Sequence, residues 1–227
     1  MKRLLLINPN TTEAVTDRLR ARAQQRAGLE VVAVTAPFGA PYISTEADCA
    51  VAGHACLQAW RDAKQVHGSF DAVLIGCFGD PGLFAVREEA GVPVLGLAQA
   101  AFAQASRRGA YGVVTGGQAW GPMLWRLAAV LPEGAALAAL ETVTLTGAQL
   151  AADRPQALAC LREAVLRMCS GTSLSCVIVG GAGLVGMAAE MQAGLDCPLI
   201  DSVEAALDAV CALPADAQCP DNGDPLP

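Results

Sequence analysis

Two stretches of this chain repeat one plan, and the plan limits what the chain can fold into. DAVLIGCFGDPG at 71–82 leads into a helix-like segment and then GVPVLGLAQA; SCVIVGGAGLVG at 175–186 leads into a helix-like segment and then DCPLIDSVEA. Each copy reads as strand, small-residue turn, helix, short strand with a proline, helix. A short apolar run that stops at a Gly/Pro-rich turn is the pattern of a buried strand. Alternation continues along the rest of the chain. KRLLLIN precedes a helix over 12–27, LEVVAVTAP one over 45–66, and the strand at 72–76 one over 81–90. VPVLGLA precedes 99–108, YGVVTG precedes 119–130, and LETVTLTG precedes 154–169. SCVIVGG precedes a helix over 185–193, and CPLIDS one over 203–213. Parallel strands need crossover helices, so the predicted class is α/β with mostly parallel sheets. The repeat predicts two similar lobes, 1–97 plus 203–213 and 98–202, with an active-site cleft between them. Ligands of open α/β sheets gather at the carboxyl ends of strands, where both small-residue turns fall. The polar, turn-rich tail at 214–227 is expected to be mobile.

Composition removes several function classes. The 227 residues suffice for one large domain or two small ones. With 53% hydrophobic and only 4% aromatic residues, the core must be Ala, Val and Leu. A net charge of −7 argues against a nucleic-acid partner. No apolar run approaches ~18 residues, so no membrane span is expected. The apolar part of the N-terminus covers only residues 4–7, too short for a signal peptide, so a cytoplasmic protein is expected. Nine cysteines, an odd number in a long chain, do not suggest a disulfide framework. With no CxxC pair and with His54 and His67 the only histidines, no metal site is expected. GGAG at 180–183 lacks the lysine and the spacing of a phosphate loop and no Walker motif is present, so no cofactor is expected. High apolar content with 16% charged residues predicts a homo-oligomer.

Cys77 stands where a strand gives way to a helix, with Asp80 read as that helix's N-cap, Pro81 in its first turn and Gly91 after its end. Backbone N–H groups at a helix start favour negative charge, so a thiol there is expected to ionise more easily than a free one. The competing reading is a small buried hydrophobe. Asn10, between the first strand and the first helix, suits a helix cap and a ligand contact alike. Thr115 and Gly116 end a strand as a carbonyl-binding turn would, or form a plain glycine turn. Phe78 and Trp120 are candidate pocket walls.

INPNTT at 7–12, CFGDPG at 77–82, GGAGL at 180–184 and PLIDSVEAA at 198–206 together resemble the hydantoin racemase branch of the aspartate/glutamate racemase superfamily, over nearly the whole chain. The resemblance implies two α/β lobes around a cleft. It also implies cofactor-independent removal and return of a proton beside a carbonyl, on a small cyclic ureide such as a hydantoin or allantoin. Asn10 and Ser44 are implied as substrate contacts, although Ser44 also suits a cap for the next helix. Two cysteines, one per lobe, would face opposite sides of the reacting carbon, because one fixed base reaches only one face. Backbone N–H groups of the two turns, around Phe78 and Gly79 and around Gly181, Ala182 and Gly183, would hold the enolate oxygen. Cys77 matches the first cysteine. The second falls at Gly181, where the family motif reads G-C-A-G. Cys176 starts the preceding strand, about 16 Å away at ~3.3 Å per residue, and Cys197 precedes the next. Several accounts stay open: water or another side chain takes the second role; the reaction needs one thiol, as in an arylmalonate-type decarboxylase or a thiohydantoin desulfhydrase; Gly181 is a disabling change; or the fold only binds a small molecule.

Overall fold

The computed structural model describes residues 1–214. The mobile tail expected at 214–227 therefore lies, from residue 215 on, outside the described residues. Four strands, β1 (Lys2–Asn8), β2 (Leu29–Thr35), β3 (Ala72–Ile75) and β4 (Val94–Gly96), form one parallel sheet in the order β2-β1-β3-β4. A second parallel sheet holds β5 (Tyr111–Gly116), β6 (Leu137–Val143), β7 (Cys176–Gly180) and β8 (Leu199–Asp201) in the order β6-β5-β7-β8. The two sheets share one topology. In each, chain direction across the sheet reverses between the two central strands, and the loops leaving such a pair open a crevice. The crevice is therefore flanked by the segments after β1 and β3 from one sheet and after β5 and β7 from the other.

Helices α1 (Glu13–Gln24), α2 (Glu46–His67) and α3 (Leu83–Ala90) accompany the first sheet, and α4 (Leu97–Ser106) follows β4 and packs against β7 of the second. The second has α5 (Trp120–Val130), α6 (Gly147–Ala152), α7 (Arg154–Gly171) and α8 (Met187–Met191), and α9 (Ser202–Ala212) ends the described chain. Thr45 and Asp48 close a reciprocal capping box at the start of α2, and Gly68, at φ 80°, ends it. Helix α9 follows β8 yet ties back to the first strand and helix: Lys2 Nζ donates to the carbonyls of Val210 and Leu213, and Glu204 pairs with Arg22 and Arg26. One apolar cluster runs through both sheets, joining Phe78 and Phe102 to Tyr111, Ile178 and Leu207. Among the described residues no helix is long and apolar enough to cross a membrane.

The structure corrects the sequence reading at three places. Asp80 does not cap the helix that follows it: α3 starts at Leu83 behind Gly82, which sits at φ 81°. The strand read as LETVTLTG begins earlier, at Leu137, and ends at Val143. Helix α6 was not expected, although Thr146 and Gln149 spell its capping box.

Candidate active site

The turn after β1 is built by asparagines. Asn8 is fully buried, and its Nδ2 donates to Asn10 Oδ1, Thr12 O and Thr16 Oγ1. Its own Oδ1 accepts from Asn10 N, while Asn10 Oδ1 accepts from Thr12 N at 2.9 Å. Asn10 thus has its oxygen occupied within the turn, and its amide N–H2 remains to donate. Asn8, the buried organiser, was missed because it ends a strand whose other residues are core; a polar residue closing an apolar run was the available signal.

Parallel pairing sets β3 beside β1, so the chain leaves both at one level: Ile7 pairs with Ile75, and Gly76 N donates to Ile7 O. Cys77 comes next. Its carbonyl accepts from Gly79 N and Asp80 N, which folds the turn tightly. Asp80 stands at φ 50°, unusual for a residue with a side chain. Its buried carboxylate accepts from Ala98 N at 2.9 Å and Gln99 N at 2.7 Å. It therefore caps α4, whose own N-cap, Gly96, has no side chain. A Cβ on Gly96 would fall inside the Asp80 carboxyl group.

In the other lobe, Gly180 ends β7. A Cβ there would enter the ring of Phe78, and one on Gly79 would enter the ring of Trp120. The Cys77 turn and the turn after β7 are thus pressed together. Thr115 Oγ1 donates to Gly180 O at 2.7 Å and fixes the end of β7. Gly181 follows at φ 145°, its N–H donating to the buried Ser202 Oγ.

These turns enclose a cavity of about 130 Å³, small for a ligand site and so suited to a small molecule. Asn10, Cys77, Phe78, Gly181, Ala182 and Gly183 line it. The other predicted contacts stand back. Ser44 is spent on Asp48, which accepts from both its N–H and its hydroxyl; its neighbours at 41–43 reach the cavity instead. Gly79 lies on Trp120, Thr115 is buried behind Gly180, and Gly116 packs against Leu150. Tyr42 and Arg18 line the cavity without having been singled out. Tyr42 Oη accepts from Gly147 N across the cleft.

The electrostatics differ from expectation at Cys77. Burial pushes its thiol well above the ordinary range, and Cys49, Asp80 and Cys56 push further the same way. The helix start that was expected to lower it lies at Leu83, beyond the turn. Cys77 thus rests as a protonated thiol. Burial also lifts Asp80 to about 7, against the opposing pull of the Ala98 and Gln99 N–H groups. Among the described residues, no three His, Cys, Asp or Glu side chains are placed to hold a metal ion.

Comparison with known proteins agrees with this architecture. The Asp/Glu/hydantoin racemase family profile matches residues 4–210. The hydantoin racemase of Paenarthrobacter aurescens is 32% identical over 214 residues, covering 90% of this chain and 87% of that protein. Allantoin racemase from Klebsiella pneumoniae superposes with a TM-score of 0.85 at 30% identity, over 92% of this chain and 86% of that one. Allantoin racemase from Pseudomonas fluorescens also superposes at 0.85, with 23% identity, over 91% and 88%. With the profile spanning nearly all the described residues, this chain belongs to the Asp/Glu/hydantoin racemase family.

Proposed function

We propose that this protein moves a proton on the carbon beside a carbonyl in a small cyclic ureide of the hydantoin or allantoin kind, with the Cys77 sulfur as the proton-carrying group. The observation that carries the reading is the position of Cys77 at a small cavity between two matched sheets, beside a donor amide on Asn10. Abstraction at that carbon leaves an enolate. Its oxygen needs N–H donors, for which the Asn10 amide and the backbone of 181–183 are the candidates. The named activities of the relatives support the substrate class. The test is deuterium exchange at C5 of an enantiopure 5-substituted hydantoin, followed by chiral analysis. Exchange that Cys77→Ala abolishes is the expected result; equal rates in the two proteins would overturn it.

A second reading has its own support. Gly181, which lines the same cavity as Cys77, cannot accept or give a proton through a side chain, and Cys77 rests protonated. A lone thiol suits a one-sided step, such as protonating the enolate left by loss of carbon dioxide from a malonate-like acid. Release of carbon dioxide, or of sulfide from a thiohydantoin, would select this reading over racemisation.

A further inference from the structure

Among the described residues Arg18 is the one charged side chain lining the cavity. It projects from α1 toward the turn after β7, its Nη1 lying 3.8 Å from where a Cβ on Gly183 would stand. Val15, Ala148, Ala151 and Leu184, all uncharged, line the same cavity.

Arg18 is exposed and has no salt-bridge partner among the described residues, as is true of Arg107 and Arg108, but of these three it is Arg18 that lines the cavity. Its helix neighbours three and four positions away are Ala14, Val15, Ala21 and Arg22, so α1 offers it no carboxylate. The other arginines of α1 and its end are engaged: Arg20 pairs with Asp17, while Arg22 and Arg26 share Glu204. Elsewhere Arg61, Arg126 and Arg154 each pair with a glutamate. A guanidinium is a rigid fork of donors that matches a carboxylate in two parallel hydrogen bonds. At a largely apolar cavity, with no salt-bridge partner among the described residues, that fork faces whatever projects from the bound ring.

We infer that Arg18 is a specificity-determining residue that selects cyclic ureides whose ring substituent ends in a carboxylate. The inference rests on the function proposed above and names the substrate class within it. The ring carbon that loses its proton also carries the substituent. With the ring against Cys77 and Asn10, the substituent leaves by the mouth that Arg18 overlooks.

The experiment compares two isosteric probes, 5-(carboxymethyl)hydantoin and its neutral amide, 5-(carbamoylmethyl)hydantoin. C5 exchange is followed with the native protein, Arg18→Lys, Arg18→Gln and Arg18→Glu. The native protein should favour the acid. The acid-to-amide ratio of kcat/KM should fall at least about tenfold in Arg18→Gln and further in Arg18→Glu, mostly through KM. Arg18→Lys should retain part of the preference, and the amide should change by less than about threefold throughout, which a general structural defect would not allow. An unchanged ratio in Arg18→Glu overturns the inference. If the native protein exchanges neither probe, the proposed reaction fails, and calorimetric binding of the acid still decides on Arg18. Affinity lost in Arg18→Glu supports it; equal affinity, or none in either protein, overturns it.

Discussion

Replacing Gly96 by alanine is the sharpest perturbation this fold offers. Gly96 has φ −111° and ψ 159°, an extended conformation that alanine adopts freely, so backbone strain does not decide the outcome. Space does, because the new Cβ falls inside the carboxyl of Asp80. That carboxyl is held by two N–H groups of α4 and is buried, so it cannot swing into water without giving both up. Two hydrogen bonds to an acceptor that holds its proton up to about pH 7, at about 0.5–1.5 kcal/mol each, put the cost at about 1–3 kcal/mol. Asp80→Gly loses the same bonds but relieves the left-handed strain at φ 50°, by roughly 1 kcal/mol. In that background Gly96→Ala meets no carboxyl, and it should stabilise by about 0.4–1 kcal/mol through the unfolded chain. The sign of one substitution thus reverses with the identity of a residue 16 positions away in sequence. Urea unfolding of the native protein, both single variants and the double variant, at constant m-value, measures this cycle. An equal effect of Gly96→Ala in both backgrounds would refute the reasoning. Because Asp80 N and Gly79 N hold the Cys77 carbonyl, Gly96→Ala should also lower activity at temperatures where it remains folded.

Four other outcomes follow from the same contacts. Asp80 holds its proton in the folded chain up to about pH 7, against an ordinary value of 3.8, so its contribution to stability is fullest below pH 4 and is lost as pH rises to about 7. At about 1.4 kcal/mol per pH unit the loss is about 4 kcal/mol, and urea melts at pH 4.5, 6 and 7.5 should show that component missing from Asp80→Asn. Gly181→Cys should introduce or raise racemisation in the chiral exchange assay while costing about 1–3 kcal/mol of stability, since φ 145° is a backbone conformation that side chains resist. Thr45→Ala should cost about 1 kcal/mol in the same melts by opening the α2 capping box. The exposed Phe84, Trp125 and Val130 accord with a homo-oligomer, and a single species of monomer mass in sedimentation across the micromolar range would contradict one.

Much of this architecture was legible because it is written locally. Strands such as β1, β3 and β7 are apolar runs ended by a turn, and their helices carry stops such as Gly68 and Gly91. Cys77 was legible for the same reason: a strand end and a glycine-rich turn are adjacent in sequence. What escaped depends on distant partners. Asp80 precedes a helix and has the chemistry of a cap, yet it caps another helix, 18 residues on, because a left-handed backbone turns its side chain toward α4. Burial, and after it Cys49, Asp80 and Cys56, raises the Cys77 thiol, where helix placement alone had implied the opposite. Ser44 was read near its true place, but the residues before it enter the cavity, since Asp48 claims its hydroxyl. Tyr42 and Arg18 gave no local signal. One is a loop tyrosine and the other one of several arginines on a charged helix, and only the approach of the second sheet brings them to the cleft.

The two lobes share one topology and differ where the chemistry lies. After β3 the first lobe places a thiol and then a carboxylate that reaches forward to cap α4. After β7 the second lobe places glycines, and its carboxylate, Asp201, ends β8 and is itself the N-cap of α9, accepting from the N–H groups of Val203 and Glu204. The same structural need, a carboxyl oxygen accepting from the N–H groups that start the helix after the short strand, is met from two positions in the sequence. In the second lobe the buried Asp201 also reaches the segment after β7, where its Oδ2 accepts from Gly186 N, while Gly181 N is held by the neutral Ser202 hydroxyl. In the first, the cap puts a carboxylate in the residue triplet after Cys77, where any negative charge it carries opposes thiolate formation. Moving the acceptor from Asp80 to position 96, as in the second lobe, should therefore lower the Cys77 thiol. The variant Gly96→Asp with Asp80→Gly makes this move, and the pH dependence of Cys77 alkylation reads it. A midpoint at or above that of the native protein would count against Asp80 as a cause of the raised thiol.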